Sequence, residues 1–213
     1  MKSVLISIQP YWIFLIIAKK MGWNINREKT VEVRKNYPKA EGWDKIAKIY
    51  CSKDKKYFAR IPKEYQPLMA QFLGKVIGEF VCANVDRIAH CGTCNNDIRL
   101  NIVDKNLYCK ELNQEYLNKC KLSYFDIDQY SNGYDVYGWH ISNLVIYDKP
   151  RELSEFIRIC PEWEKGEITE KCLECEHLYR SPIENFIECD YEGELPITRP
   201  PQSWCYIESE GDA

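Results

Sequence analysis

Short runs in which apolar and polar residues alternate recur along this chain, and that period of two restricts it to a strand-rich fold. On a pleated strand successive side chains face opposite ways, so alternation marks a half-buried strand. The clearest case is 30–36, where Val31 and Val33 take one face and Thr30, Glu32 and Arg34 the other. Val4–Ile8 reads as a strand, as do Lys45–Cys51 and Tyr57–Ile61 around a polar turn at Ser52–Lys56. Lys75–Val85, Tyr137–Tyr147 and Ser203–Glu208 follow, the second closed by Asp148-Lys-Pro150. Pro10 suits the first turn of a helix that runs to about Met21 and stops at Gly22. A short helix lies near Lys63–Phe72, and Glu111–Tyr130 is helical with a fresh start at Ser123. Between Asp86 and Lys110 the pattern breaks, and 160–195 is acidic, cysteine-bearing and short of regular pattern. These elements predict an α+β chain, a small and partly open β-barrel with attached helices, its first strand paired with a late one. The expected organisation is one domain over 1–213, with 86–130 and 160–195 inserted into it.

The 213 residues are 45% hydrophobic and 29% charged, which excludes a disordered, collagen-like or polytopic membrane chain. The apolar run Tyr11–Ala18 is far below the ~20 residues of a membrane span and lacks the flanks of a signal peptide. We therefore expect a cytoplasmic protein with no membrane partner and with reduced thiols.

Eleven cysteines against three histidines make metal the next question. Cys160, Cys172, Cys175 and Cys189 have the spacing C-x11-C-x2-C-x13-C, a tight knuckle with flanking thiols that suits tetrahedral zinc. Cys91, Cys94, Cys109 and Cys120, spaced C-x2-C-x14-C-x10-C, are also compatible with it. Either zinc would be structural, because four thiolates leave no position open for water. Scattered core thiols, or a redox pair at Cys91 and Cys94, are the alternatives. Cys51 and Cys82 lie in apolar strands and read as small core residues.

A net charge of −3 hides an asymmetry. Residues 19–63 hold fourteen Lys and Arg against five Asp and Glu, with Trp23, Tyr37, Trp43, Tyr50 and Tyr57 interleaved. Residues 151–195 hold five against thirteen. A basic, aromatic segment suits a polyanion with stacked bases, and equally a solvated face. Within it, Glu32 and Arg34 fall on one side of a strand, and Lys29, at the loop junction before it, can curl over the same side. Three such groups in a solvent-accessible cleft can hold a phosphate or a polar base edge; on an open strand they are alternating surface charges. In either arrangement Glu32→Gln would cost folding only ~0–1 kcal/mol, the worth of an exposed pair.

The run Lys29-Thr-Val-Glu32-Val-Arg34, after a strand and a helix, resembles the G-x-K-x-x-E-x-R motif of the ASCH domain, a family of the PUA-like superfamily, with Arg27 in place of the Gly. Ser7-Ile-Gln-Pro10, Gly74-Lys-Val-Ile-Gly-Glu-Phe80, Tyr137-Gly-Trp-His-Ile-Ser142 and Arg199-Pro-Pro-Gln-Ser-Trp-Cys-Tyr206 resemble blocks of phage and prophage ASCH-like proteins. The resemblance implies a PUA-like barrel whose cleft holds single-stranded RNA or a modified nucleotide. Lys29, Glu32, Arg34 and Gln9 are the residues expected there; of Trp139 and His140, which face opposite sides of one strand, at most one can join them as a stacking platform, and core packing is the alternative. Some members are amidohydrolases acting on acetylated cytidine through a Lys, a Thr and a Glu, and others are reported as ribonucleases. Lys29 matches that Lys, Glu32 stands where the Thr would be, and Glu79 is the nearest counterpart of the Glu. Binding is thus the first expectation, and hydrolysis of a nucleoside or RNA through Lys29 the second. A phage protein acting on a host protein partner through its insertions is the third.

Overall fold

The computed structural model describes residues 2–25, 27–39, 43–92, 98–103, 108–159, 178–180, 187–189 and 196–209. Strand β1 (Lys2–Ile8) is buried on both faces, with Val4, Ile6 and Ile8 in the main core and Leu5 in a smaller one behind it. Gln9 turns the chain and Pro10 opens helix α1 (Pro10–Ile17), where its missing N–H costs nothing. Helical hydrogen bonding continues from Met21 to Ile17, and Gly22 at φ +68 closes it. Gly22 N–H bonds Lys19 O and Trp23 N–H bonds Ala18 O, the paired bonds of a glycine-terminated helix end.

Strand β2 (Val31–Arg34) is buried at every position. Strand β3 (Trp43–Cys51) leads into helix α2 (Lys55–Phe58), then helix α3 (Gln66–Ala70). The strand expected at Tyr57–Ile61 is therefore absent. Asp54 accepts a hydrogen bond from the Tyr57 N–H at 3.1 Å and starts a helical turn instead, so the alternation there came from the spacing of Tyr57, Ala59 and Ile61 alone.

Strand β4 (Val76–Gly92) runs well past the expected end at Val85, followed by β5 (Ile98–Val103) and β6 (Cys109–Glu111). The expected break after Asp86 is a continuing meander. Helix α4 (Gln114–Cys120) is capped by Asn113, and helix α5 (Tyr124–Ser131) by Ser123 in a reciprocal pair with Asp126. Strand β7 (Val136–Arg151) extends through Asp148-Lys-Pro150, with Arg151 still opposite Val76. A 3-10 turn (Leu153–Glu155), a small hairpin of β8 (Leu178–Arg180) and β9 (Ile187–Cys189), and β10 (Trp204–Glu208) complete the described chain.

The sheet runs β10–β1–β3–β4–β5–β6, with β7 pairing β4 and β2 pairing β7. As expected, β1 pairs with a late strand, β10, antiparallel; it is parallel to β3. The two ends of the path β2–β7–β4–β3–β1–β10 are tied by side chains. Trp204 Nε1 donates to Asn36 Oδ1 at 2.7 Å, Lys39 N–H to the Tyr206 hydroxyl at 2.9 Å, and Arg34 to Ser7 O at 2.6 Å. The sheet is thus curled into a partly open barrel around the main core. A second core of Val31, Val33, Ile88, Leu100, Tyr116, Leu117 and Ile127 seats α4 and α5 against β2 and β4. No helix among the described residues is long and apolar enough to cross a membrane.

Cys94, Cys160, Cys172 and Cys175 lie outside the described residues, and Cys189 falls in β9. The meander sets the Cys91 and Cys109 side chains against each other. Cys120 packs in the second core, 0% exposed, and burial pushes its thiol up to about 12. Among the described residues no three His, Cys, Asp or Glu side chains converge as a metal site requires. Cys51 and Cys82 are buried in the main core, as expected.

Candidate functional site

The polar side of β2 forms the floor of a cleft of about 930 Å³. Glu32 lies between two cations, with Lys29 Nζ at 3.4 Å from Oε2 and an Arg34 terminal nitrogen at 3.0 Å from Oε1. Lys29 also donates to Cys120 O at 2.6 Å and sits over the Trp12 ring, 5.2 Å from its centroid. These side chains line the cleft yet are mostly withdrawn from water, at 2% exposure for Lys29, 8% for Glu32 and 11% for Arg34. The premise of an exposed pair is therefore wrong. Both faces of β2 are covered, Val31 and Val33 by α4 and α5 and the charged side by α1 and β1.

Two buried polar atoms of cleft-lining residues lack a hydrogen-bond partner: Arg34 Nε and Ser52 Oγ. Buried polar groups are nearly always paired, so neither atom has its hydrogen-bonding capacity met within the fold.

Three walls rise from this floor. The first is the start of α1, where Gln9 Oε1 accepts from Trp12 Nε1 at 3.1 Å. The second is Ser52 to Arg60, carrying Lys53, Tyr57 and Arg60. Lys53 lies across Gly74, where a Cβ would meet its Cε, so the absence of a side chain at Gly74 gives the lysine stem its seat. The third is the α4–α5 junction, with Lys121, Leu122, Gln129 and Tyr130. Lys121 ends α4 in the left-handed region at φ +56, a place usually given to Gly or Asn. Both wall carboxylates are engaged in helix caps, Asp54 with Tyr57 N–H and Asp126 with Ser123. Ser123's hydrogen bonds hold Asp126 below its ordinary value against the opposing effect of burial, and the charge of Arg60 on the facing wall adds to the lowering.

Lys29, Glu32, Arg34 and Gln9 are thus brought together, while Trp139 and His140 are not. Trp139 is 0% exposed, at the centre of a ring stack with Trp43 and Trp204, and donates to Asn36 O. His140 faces the other side of β7, where its Nε2 lies 2.6 Å from Asp86 Oδ2. Burial works to raise Asp86, but its bonds to His140, Tyr116 and Asn84 and the charge of His140 bring it below its ordinary value. Glu79 lies off the cleft, tied to Lys48 at 2.9 Å and the Tyr147 hydroxyl at 2.7 Å. Of the aromatics in the basic segment, Tyr57 reaches the cleft, whereas Trp23, Tyr37, Trp43 and Tyr50 pack against the cores. Sequence reading missed Trp12, Ser52, Arg60, Lys121 and Tyr130. Only Arg60 and Ser52 carried a signal, as members of the basic run and its polar turn.

No family model matches the chain, and no curated protein does. Among solved structures, a crystal structure of a variant of ZmASCH from Zymomonas mobilis aligns over 97% of this chain and 88% of its own, at 14% identity and a TM-score of 0.44.

Proposed function

We propose that the cleft binds single-stranded RNA or a nucleotide, with a base edge against the floor. The observation that carries this reading is the pair of unpartnered atoms, Arg34 Nε and Ser52 Oγ, beside a carboxylate fixed between two cations. A guanidinium N–H donates, a hydroxyl donates or accepts, and Glu32 accepts, so together they match the mixed donors and acceptors of a base. Trp12 and Tyr57 carry the Arg60 guanidinium on their rings, and Lys53, Arg60 and Lys121 supply positive charge along the walls. The resemblance of the β2 motif to ASCH domains supports the same ligand class. Lys29 is committed as a donor to Cys120 O and Glu32, which favours binding over hydrolysis.

The test is a titration with a single-stranded RNA octamer at low salt. Ser52→Ala is expected to weaken binding about five- to tenfold, the worth of one hydrogen bond, and to leave stability unchanged or slightly raised. Absence of binding by the wild type, or unchanged affinity in Ser52→Ala, overturns the reading. A turnover assay on acetylated cytidine is expected to show no product; turnover that disappears in Lys29→Met would establish an enzyme instead.

The later cysteines carry a separate proposal. The knuckle at Cys172 and Cys175, flanked by Cys160 and Cys189, supports a structural zinc. Protein purified without chelator is expected to carry about one zinc per chain. Less than about half an equivalent, with these thiols freely titratable, would refute it.

A further inference from the structure

Arg60 is held in an unusual way. Its guanidinium lies 4.4 Å from the ring centroid of Tyr11, 5.2 Å from Tyr57 and 5.4 Å from Trp12. The backbone beneath it is fixed, because Arg60 N–H bonds Tyr57 O and the next residue, Ile61, is buried at 2% exposure. A guanidinium resting on aromatic faces keeps its N–H edge free, and that edge is shaped for two oxygens of one phosphate. The rings oppose withdrawal of the charge, so the donors stand in place before a ligand arrives. Arg60 and Asp126 both line the cleft, on different walls. Lys53, seated over Gly74, and Lys121, projected from its left-handed turn, line the same cleft.

From this arrangement we propose that Arg60 is a phosphate anchor that orients the bound nucleotide, base toward Glu32 and Arg34, phosphate toward Arg60. The proposal rests on the binding reading above and assigns one step within it. It makes the ligand a phosphorylated one, bound through backbone as well as base.

The RNA octamer distinguishes this role from mere packing. For single strands the slope of log K against log salt changes by about 0.7 for each phosphate contact. Arg60→Ala is expected to weaken binding about tenfold or more and to reduce that slope by about 0.7. Arg60→Gln, which keeps donors without charge, is expected to show the same loss of slope. Weaker binding with an unchanged slope would mean that Arg60 only orders the rings, and unchanged affinity would mean that it takes no part; either result overturns the anchor. Ser52→Ala, measured beside it, reports on the binding reading itself, so the two can fail separately. No binding by the wild type overturns both.

Discussion

Glu32→Gln is expected to lower folding stability by about 3–5 kcal/mol, the usual cost of removing one partner from a buried ion pair. The substitution takes away the carboxylate shared by Lys29 and Arg34, whose own side chains are 2% and 11% exposed. With total stabilities of about 5–15 kcal/mol for a natural domain, such a loss leaves the variant close to unfolding. Urea denaturation measures it as a lower midpoint at unchanged slope. An unchanged midpoint would show that the three charges are solvated. Replacing all of them with apolar residues of similar size, Lys29→Met, Glu32→Leu and Arg34→Met, is expected to recover most of the loss while abolishing RNA binding. Stability and recognition would then be separated in one pair of proteins.

Trp139→Ala is expected to cost a comparable ~3–5 kcal/mol, for a different reason. Its ring is wholly buried between Trp43 and Trp204, and its indole N–H meets Asn36 O where the segment after β2 crosses toward β10. Removal leaves a cavity and takes away the ring against which Trp204 of β10 packs. The same denaturation experiment measures it. A stable Trp139→Ala protein that had lost only RNA affinity would return this residue to the binding surface.

What was legible in the sequence was mostly local. Pro10 and Gly22 bracket the first helix because each acts through its own backbone, and Ser123 marks a helix start through a residue three positions on. Glu32 and Arg34 group by strand alternation, a short-range rule, and Lys29 joins them through the motif. Their burial could not be read, since a charged face on a strand looks the same whether water or another element covers it. Tyr57–Ile61 misled for the converse reason: its alternation is genuine, but the cap at Asp54 outweighs it. Trp12 and Arg60 meet only through tertiary contact between α1 and α2, and neither position carries a motif. Spacing puts Cys91 and Cys109 in one group with Cys94 and Cys120, but only the meander reveals that the first two face one another while Cys120 packs in the second core.

The position of β1 between β3 and β10 sets an order on folding. The hydroxyls of Ser3 and Ser209 lie 3.1 Å apart although 206 positions separate them in the chain. During translation at roughly 5–20 residues per second, β1 is made about 10–40 s before the strand that completes its sheet. Throughout that interval one hydrogen-bonding edge of β1 has no native partner, and Leu5 lacks Ile207, a neighbour in its cluster. Closure is therefore a late event dominated by long-range pairing, which slows folding and extends the exposure of a sticky strand. Until β10 arrives, a nascent chain therefore presents an unpaired strand edge open to wrong partners, and a delay in closure lengthens that exposure.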